Sequence, residues 1–351
     1  MTRTDPRATA LDRERLRSDP ELCLDSIEPM TSSATFLELP LLALRPPAVR
    51  VEQASRRFSV DLSELCEQTD LAAPPARVGH YVFMTEYCGS TLLSQALGSF
   101  HQVFAYGERY PLASVAAYKR GLLGGVPDPM KTDLFVKLVL HYQTKTARPE
   151  QCALLKEWSV SNVLIDEVLR GDSRSRVIFM YSGLEHFIAS VLKSERRRTL
   201  ARQRVAKVFT DLNDLVPLRQ VNPLACSDSE IAAVHWLYQM YFFLTHGAWA
   251  TPRVRTLSFD QLERDPAGVL RACAQHLGID VSERALLSVV DGPAFRTHAK
   301  SGAPFTAKEH VDALATDRAR YRAEIDSGLA FAERYTSEHP IPAVLPTPLP
   351  C

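Results

Sequence analysis

HYVFMTEYCGSTLLSQAL, running from His80 to Leu97, sets a short hydrophobic burst against a Gly-Ser-Thr turn and then an apolar helical pattern. Tyr81 to Met84 is apolar and β-prone, which suits a buried strand, while Leu92, Leu93, Ala96 and Leu97 fall on one helical face. Gly89, Ser90 and Thr91 then stand at the helix start. Free backbone N–H groups and the positive end of the helix dipole converge at such a turn, and the two hydroxyls add donors for phosphate or sulfate oxygens. The same residues also read as a plain N-cap.

The turn differs from a nucleotide triphosphatase loop, which needs a first Gly and a closing Lys-Ser/Thr. Met84 stands in place of that Gly and Ser90 in place of that Lys. A dinucleotide fingerprint is also missing, because no G-x-G-x-x-G follows this strand.

Working outward, Cys152 to Lys156 (CALLK) reads as a second buried strand, Arg176 to Tyr181 (RVIFMY) as a third and Arg253 to Leu257 as a fourth. Helical spacing covers Lys131 to Ala147, Asn162 to Leu169, a segment through Phe187 and Val191, and Phe259 to Leu277, which Gly278 ends. Apolar strands between amphipathic helices predict an α/β fold of three layers, with a mostly parallel central sheet covered on both faces. Ligands collect outside the carboxyl ends of such strands. Lys156 and Tyr181-Ser182 close strands on that side, although a strand-terminal lysine also reads as a solvated charge. Glu108, after Gly107, also reads as an acidic charge near a helix start.

The 351 residues, 46% hydrophobic and 23% charged, are enough for a sizeable core. The 41 basic and 41 acidic residues balance to a formal charge of +0, which argues against nucleic acid as a partner and leaves any polyanion to local donors. Seven scattered cysteines without a C-x-x-C pair argue against a zinc site or a disulfide framework, and a reducing cytoplasm fits. No stretch reaches the length of a membrane span, and the first thirty residues lack a signal core. The densest apolar run, Ala232 to Ala250, carries two His and a Gln and predicts a buried core helix. Residues 1–35 read as a flexible segment, 36–76 as a small strand-containing extension, 77–336 as the main domain and 337–351, with five prolines, as a tail.

The order and spacing of these pieces, from Arg77 to Ile279, resemble the sulfotransferases that use 3′-phosphoadenosine 5′-phosphosulfate. In that family a strand leads into a basic-Ser-Gly-Ser/Thr-Thr turn that holds the 5′-phosphosulfate; this chain has Tyr87-Cys88-Gly89-Ser90-Thr91, with Leu92 next. The resemblance implies a P-loop-like nucleotide-binding fold and a metal-free sulfuryl transfer to a hydroxyl or amine of a small-molecule, peptide or carbohydrate acceptor. It gives Glu108 the role of base and Lys156 that of polarising the donor. The family's 3′-phosphate grip pairs an Arg with a Ser eight positions on, and here Ser182 stands in the Arg position ahead of Ser190. The segment Leu257 to Ile279 matches the family's closing strand and helix.

Two cations of the family pattern are thus replaced, by Tyr87 and by Ser182. Each charge-assisted contact is worth roughly 1.5–3 kcal/mol, so compensation is expected. Lys193 and Arg197 share a helical face with Ser190, inside a basic run that also reads as a solvated or partner-binding face. Lys300, in HAKSG, is a further candidate that also reads as an ordinary surface lysine. His80, His101 and His186 are alternative bases, each with a structural reading beside it. Two rival functions remain: a transferase or kinase using another phosphorylated nucleotide, and a non-catalytic relative that only binds.

Overall fold

The computed structural model describes residues 14–123, 126–297 and 315–351. Lys300 and the HAKSG motif lie outside the described residues. The chain divides into two compact units, the first built from Met1–Phe83, Leu93–Val177 and Leu277–Val281, the second from Met84–Leu92, Ile178–His276 and Ser282–Cys351.

In the first unit, β1 (Leu22–Glu28), β2 (Ser33–Glu38) and β3 (Arg56–Asp61) form an antiparallel sheet in that order. The register sets Leu24 opposite Phe36 and Phe36 opposite Phe58, whose rings stack at 5.9 Å. Residues 22–28, read from sequence as part of a flexible segment, are therefore a strand with Leu22, Leu24 and Ile27 buried. The buried ammonium of Lys145 holds this segment by donating to the carbonyls of Leu16 and Leu22.

Asp61 caps α1 (Leu62–Gln68) by accepting the N–H of Ser63, and β4 (Gly79–Met84) follows with every residue buried. After α2 (Ser90–Leu97) comes β5 (Val103–Tyr106), a strand that the apolar pattern did not single out. Next are α3 (Pro111–Lys119), α4 (Pro129–Gln143, capped by Asp128), β6 (Cys152–Lys156) and α5 (Ile165–Gly171). Both β4 and β5 pair in parallel with β6.

The second unit carries β7 (Val177–Tyr181), α6 (Leu184–Leu192), α7 (Glu195–Lys207, capped by Ser194) and α8 (Asp228–His246). A Ser227–Glu230 capping box starts α8 and the left-handed Gly247 ends it, with most of its side chains buried. It is the core helix expected from the apolar run. Beyond it lie β8 (Val254–Ser258), α9 (Phe259–Arg264), α10 (Pro266–Leu277), α11 (Glu283–Val290) and α12 (Arg322–Thr336).

The single helix expected over 259–277 is two. Asp265 precedes a proline, which disfavours helical backbone, and its carboxylate caps the new start by accepting the N–H of Gly268. The proline-rich tail is anchored: Thr256 donates its N–H to Thr347, Leu349 donates back to Thr256, and Leu345 and Leu349 are buried. Strands β4 to β8 make one five-stranded parallel sheet in the order β5-β6-β4-β7-β8, flanked by helices.

Candidate functional site

The turn after β4 departs from ordinary backbone. Glu86 (φ 70°), Tyr87 (φ 49°) and Gly89 (φ 78°) all lie in the left-handed region, which a residue with a Cβ occupies at a cost of about 1–3 kcal/mol. A Cβ at Gly89 would also stand 2.6 Å from the ring of Phe259, so the turn demands glycine there. The Thr85 N–H donates to the carbonyl of Met180 at 3.0 Å, which seats the start of the turn beside β7. Cys88, Ser90 and Thr91 are buried, and α2 begins at Ser90 with Leu92 inside it. The Ser90 hydroxyl donates to the sulfur of Met84, a weak acceptor, so an oxyanion would recruit it easily.

The second unit gathers further polar groups around this turn. The Tyr87 ring meets Phe187 edge-on at 5.5 Å and lies 5.1 Å beneath the Arg197 guanidinium. Arg197 in turn donates to the carbonyl of Ser190 at 2.8 Å. Arg204, two turns further along α7, reaches Glu86 with its Nε 3.0 Å from Oε1. On the other side of Phe187, with ring centroids 5.5 Å apart, is His235, whose two buried ring nitrogens have no hydrogen-bond partner. Burial holds that imidazole neutral, with its pKa lowered to about 4.

Ser182 follows β7 directly, as expected. Its carbonyl accepts the Trp236 indole N–H at 2.8 Å, while its buried hydroxyl is unpartnered. Lys193 turns elsewhere and pairs with Asp317 at 2.6 Å. Trp249 donates its indole N–H to the carbonyl of Leu244.

In the first unit, Lys156 ends β6 and Glu108 lies just beyond β5. Their ion pair is 2.7 Å long, with the lysine side chain 0% and the glutamate 27% exposed. Gly107 makes this possible: a Cβ there would sit 2.5 Å from the backbone of Ala48, so the segment bearing Ala48 can lie directly against it. That segment fixes the Glu108 backbone on both sides, since Glu108 donates to Pro47 and accepts from Val49. Glu108 is thus placed by a β-bridge, with the next helix starting only at Pro111.

Glu157, the next residue after Lys156, is buried with both carboxylate oxygens unpartnered. Desolvation pushes its pKa up to about 8, against the pull of the Arg109 guanidinium. The three candidate histidines are engaged or remote: His80 accepts the Arg176 N–H on Nδ1, His101 is exposed, and His186 rests against the Phe259 ring. Among the described residues no group of three His, Cys, Asp or Glu side chains gathers to hold a metal ion, and no helix is long and apolar enough to cross a membrane.

Sequence reasoning missed Glu86, Arg204 and His235. The single helical face expected for Ser190, Lys193 and Arg197 is broken, because α6 ends at Leu192 and Ser194 caps a new helix from Glu195. Arg204 lies seven residues beyond Arg197 on that second helix, so the same spacing puts these two arginines on one face.

No protein-family model matches the chain, and no curated protein matches it. Among solved structures it is similar to a sulfotransferase from Alicyclobacillus acidocaldarius, with 14% identity over 72% of this chain and 96% of that one and a TM-score of 0.36. It is also similar to the sulfotransferase STF9 from Mycobacterium avium (13%, 74% and 79%, 0.42) and to a retinol dehydratase in complex with retinol and PAP (10%, 92% and 96%, 0.29). Each of these TM-scores is below 0.5, and function is read from this chain's own residues.

Proposed function

We propose that this chain is an enzyme that transfers a sulfuryl group from 3′-phosphoadenosine 5′-phosphosulfate to a hydroxyl or amine acceptor. The observation that carries the reading is the Lys156–Glu108 pair, a buried ammonium against a carboxylate that keeps some exposure. Sulfuryl transfer needs in-line placement, relief of charge on the leaving phosphate oxygen and removal of one proton. Glu108 takes the proton of the acceptor O–H or N–H as the acceptor atom bonds to sulfur. The bond from sulfur to the bridging phosphate oxygen breaks, and Lys156 meets the charge that develops there.

The turn suits the other half of the task. Backbone amides of Cys88 to Thr91 and the hydroxyls of Ser90 and Thr91 hold the 5′ end of the donor, with Tyr87 as a hydrogen-bond donor in place of the missing cation. Ser190 and the unpartnered Ser182 hydroxyl serve the 3′-phosphate.

The test is ligand-dependent melting, followed by turnover of a Glu108 variant. Adenosine 3′,5′-bisphosphate raises Tm and ATP-Mg leaves it unchanged. Glu108→Gln keeps that bisphosphate shift and loses on the order of 10²–10⁴ in turnover, the range for a removed general base. Stabilisation by ATP-Mg alone would favour a kinase, failure to bind bisphosphate at high micromolar concentration would favour a non-catalytic protein, and full turnover by the variant would remove Glu108 from the reaction.

A further inference from the structure

Glu86 and Arg204 meet across 118 residues of sequence, and the proposed sulfuryl transfer uses neither. Their side chains are 16% and 14% exposed, so both charges are mostly withdrawn from water. The carboxylate stands on left-handed backbone, immediately before the residue that takes the basic position of the turn. Helix α7 sends two guanidiniums to this place from one face, Arg197 over the Tyr87 ring and Arg204 to Glu86, while Ala201 and Val205 on that face are buried.

We infer that Arg204 and Arg197 are the anion-binding cations of the turn, and that Glu86 is a resident carboxylate which holds Arg204 until a phosphate or sulfate oxyanion displaces it. The inference rests on the proposed binding of the phosphosulfate donor at this turn. The two cations missing at Tyr87 and Ser182 are then supplied through space from α7. Arginine suits the role, because its planar fork matches tetrahedral oxyanions in a way that an ammonium does not. One neighbour of the pair is short of partners: His235, which feels the charges of both Glu86 and Arg204, has both buried ring nitrogens unsatisfied. A buried polar group left in that condition calls for an explanation, and a bound polar ligand supplies one here.

His235, held neutral by burial, adds no charge of its own beside Glu86 and Arg204, both of which act on it electrostatically. A carboxylate so placed repels any entering anion until it swings away. The turn therefore favours multiply charged ligands over single-charge ones.

Isothermal titration of wild type, Glu86→Gln, Arg204→Met, Arg204→Lys and the Glu86→Gln/Arg204→Met double variant decides this, with adenosine 3′,5′-bisphosphate and inorganic pyrophosphate as probes at fixed salt. Glu86→Gln tightens binding at least fivefold, Arg204→Met weakens it at least tenfold, Arg204→Lys falls between, and the double variant behaves like Arg204→Met. Unchanged or weaker bisphosphate binding by Glu86→Gln overturns the inference while leaving the donor reading intact. If pyrophosphate shows the expected pattern and the bisphosphate does not bind, the inference stands and the donor reading falls. Binding of neither probe by wild type overturns both. Should Arg204→Met fail to fold, Glu86→Gln and Arg204→Lys still decide the matter.

Discussion

Two lysines of the first unit are sunk below the surface, and their partners set them apart. Lys145, just past the end of α4, gives its protons to the carbonyls of Leu16 and Leu22. Lys156, at the end of β6, faces the carboxylate of Glu108. Carbonyl dipoles offset little of the cost of burying a charge, and the Lys145 amine accordingly falls to about 7, mainly through desolvation. A carboxylate compensates an ammonium directly. One lysine fastens a strand through backbone carbonyls, while the other stands 2.7 Å from a carboxylate that keeps some exposure. Burial alone therefore does not mark a functional cation; the chemistry facing it does.

The sharpest break of this comparison is Lys156→Met. If Lys156 meets the leaving oxygen, the change lowers turnover by on the order of 10²–10³, the size of a lost electrostatic contact to the transition state, and leaves the bisphosphate Tm shift in place. The check is release of adenosine 3′,5′-bisphosphate from the phosphosulfate donor with a panel of phenols and amines. Turnover within twofold of wild type would make Lys156 a second structural lysine.

Glu157 sharpens the contrast from the neighbouring position, because here burial acts with no partner. Its folded-state pKa is raised, so the stability attached to the neutral acid is fully present below about 4.5 and is lost as pH rises toward 8. The unfolded chain ionises over that window and the folded one does not. Glu157→Gln removes the titration, and its stability relative to wild type should grow by about 1.4 kcal/mol per pH unit, to roughly 3 kcal/mol at pH 7. Urea unfolding from pH 4 to 9 measures it, and parallel curves for the two proteins would show that Glu157 is ionised in the fold.

The sequence made the strands most legible where apolar runs were unbroken, as in CALLK and VIFMY, because buried parallel strands need little alternation. β5 escaped notice at four residues, between a turn and Gly107. The β1 strand was hidden for a different reason: the polar Asp25 and Ser26 interrupt it, and its hydrophobic logic appears only once Leu24 faces Phe36. The split of α9 from α10 was readable from Asp265-Pro266 alone. Lys156 stood out by its place at a strand end and Glu108 beside Gly107, their roles came through resemblance, and their contact depends on a bridge to Ala48 that no local pattern announces. The spacing from Arg197 reaches Arg204, but its contact with Glu86, 118 residues away, leaves no local pattern to read.

The smallest expected effect belongs to the structural lysine. Lys145→Met removes a desolvated amine but leaves the Leu16 and Leu22 carbonyls without their donor, and an unsatisfied buried acceptor costs about 1–3 kcal/mol. The net loss should lie in or below that range, read as a lower urea midpoint with unchanged kcat. The pH response carries the sign. In the folded state the amine gives up its proton near 7, while in the unfolded chain it keeps it to about 10.5, so wild-type stability rises with pH between those values. The methionine variant lacks that rise. If its stability still climbs with the same slope, Lys145 is charged in the fold, and the distinction from Lys156 then rests on geometry alone.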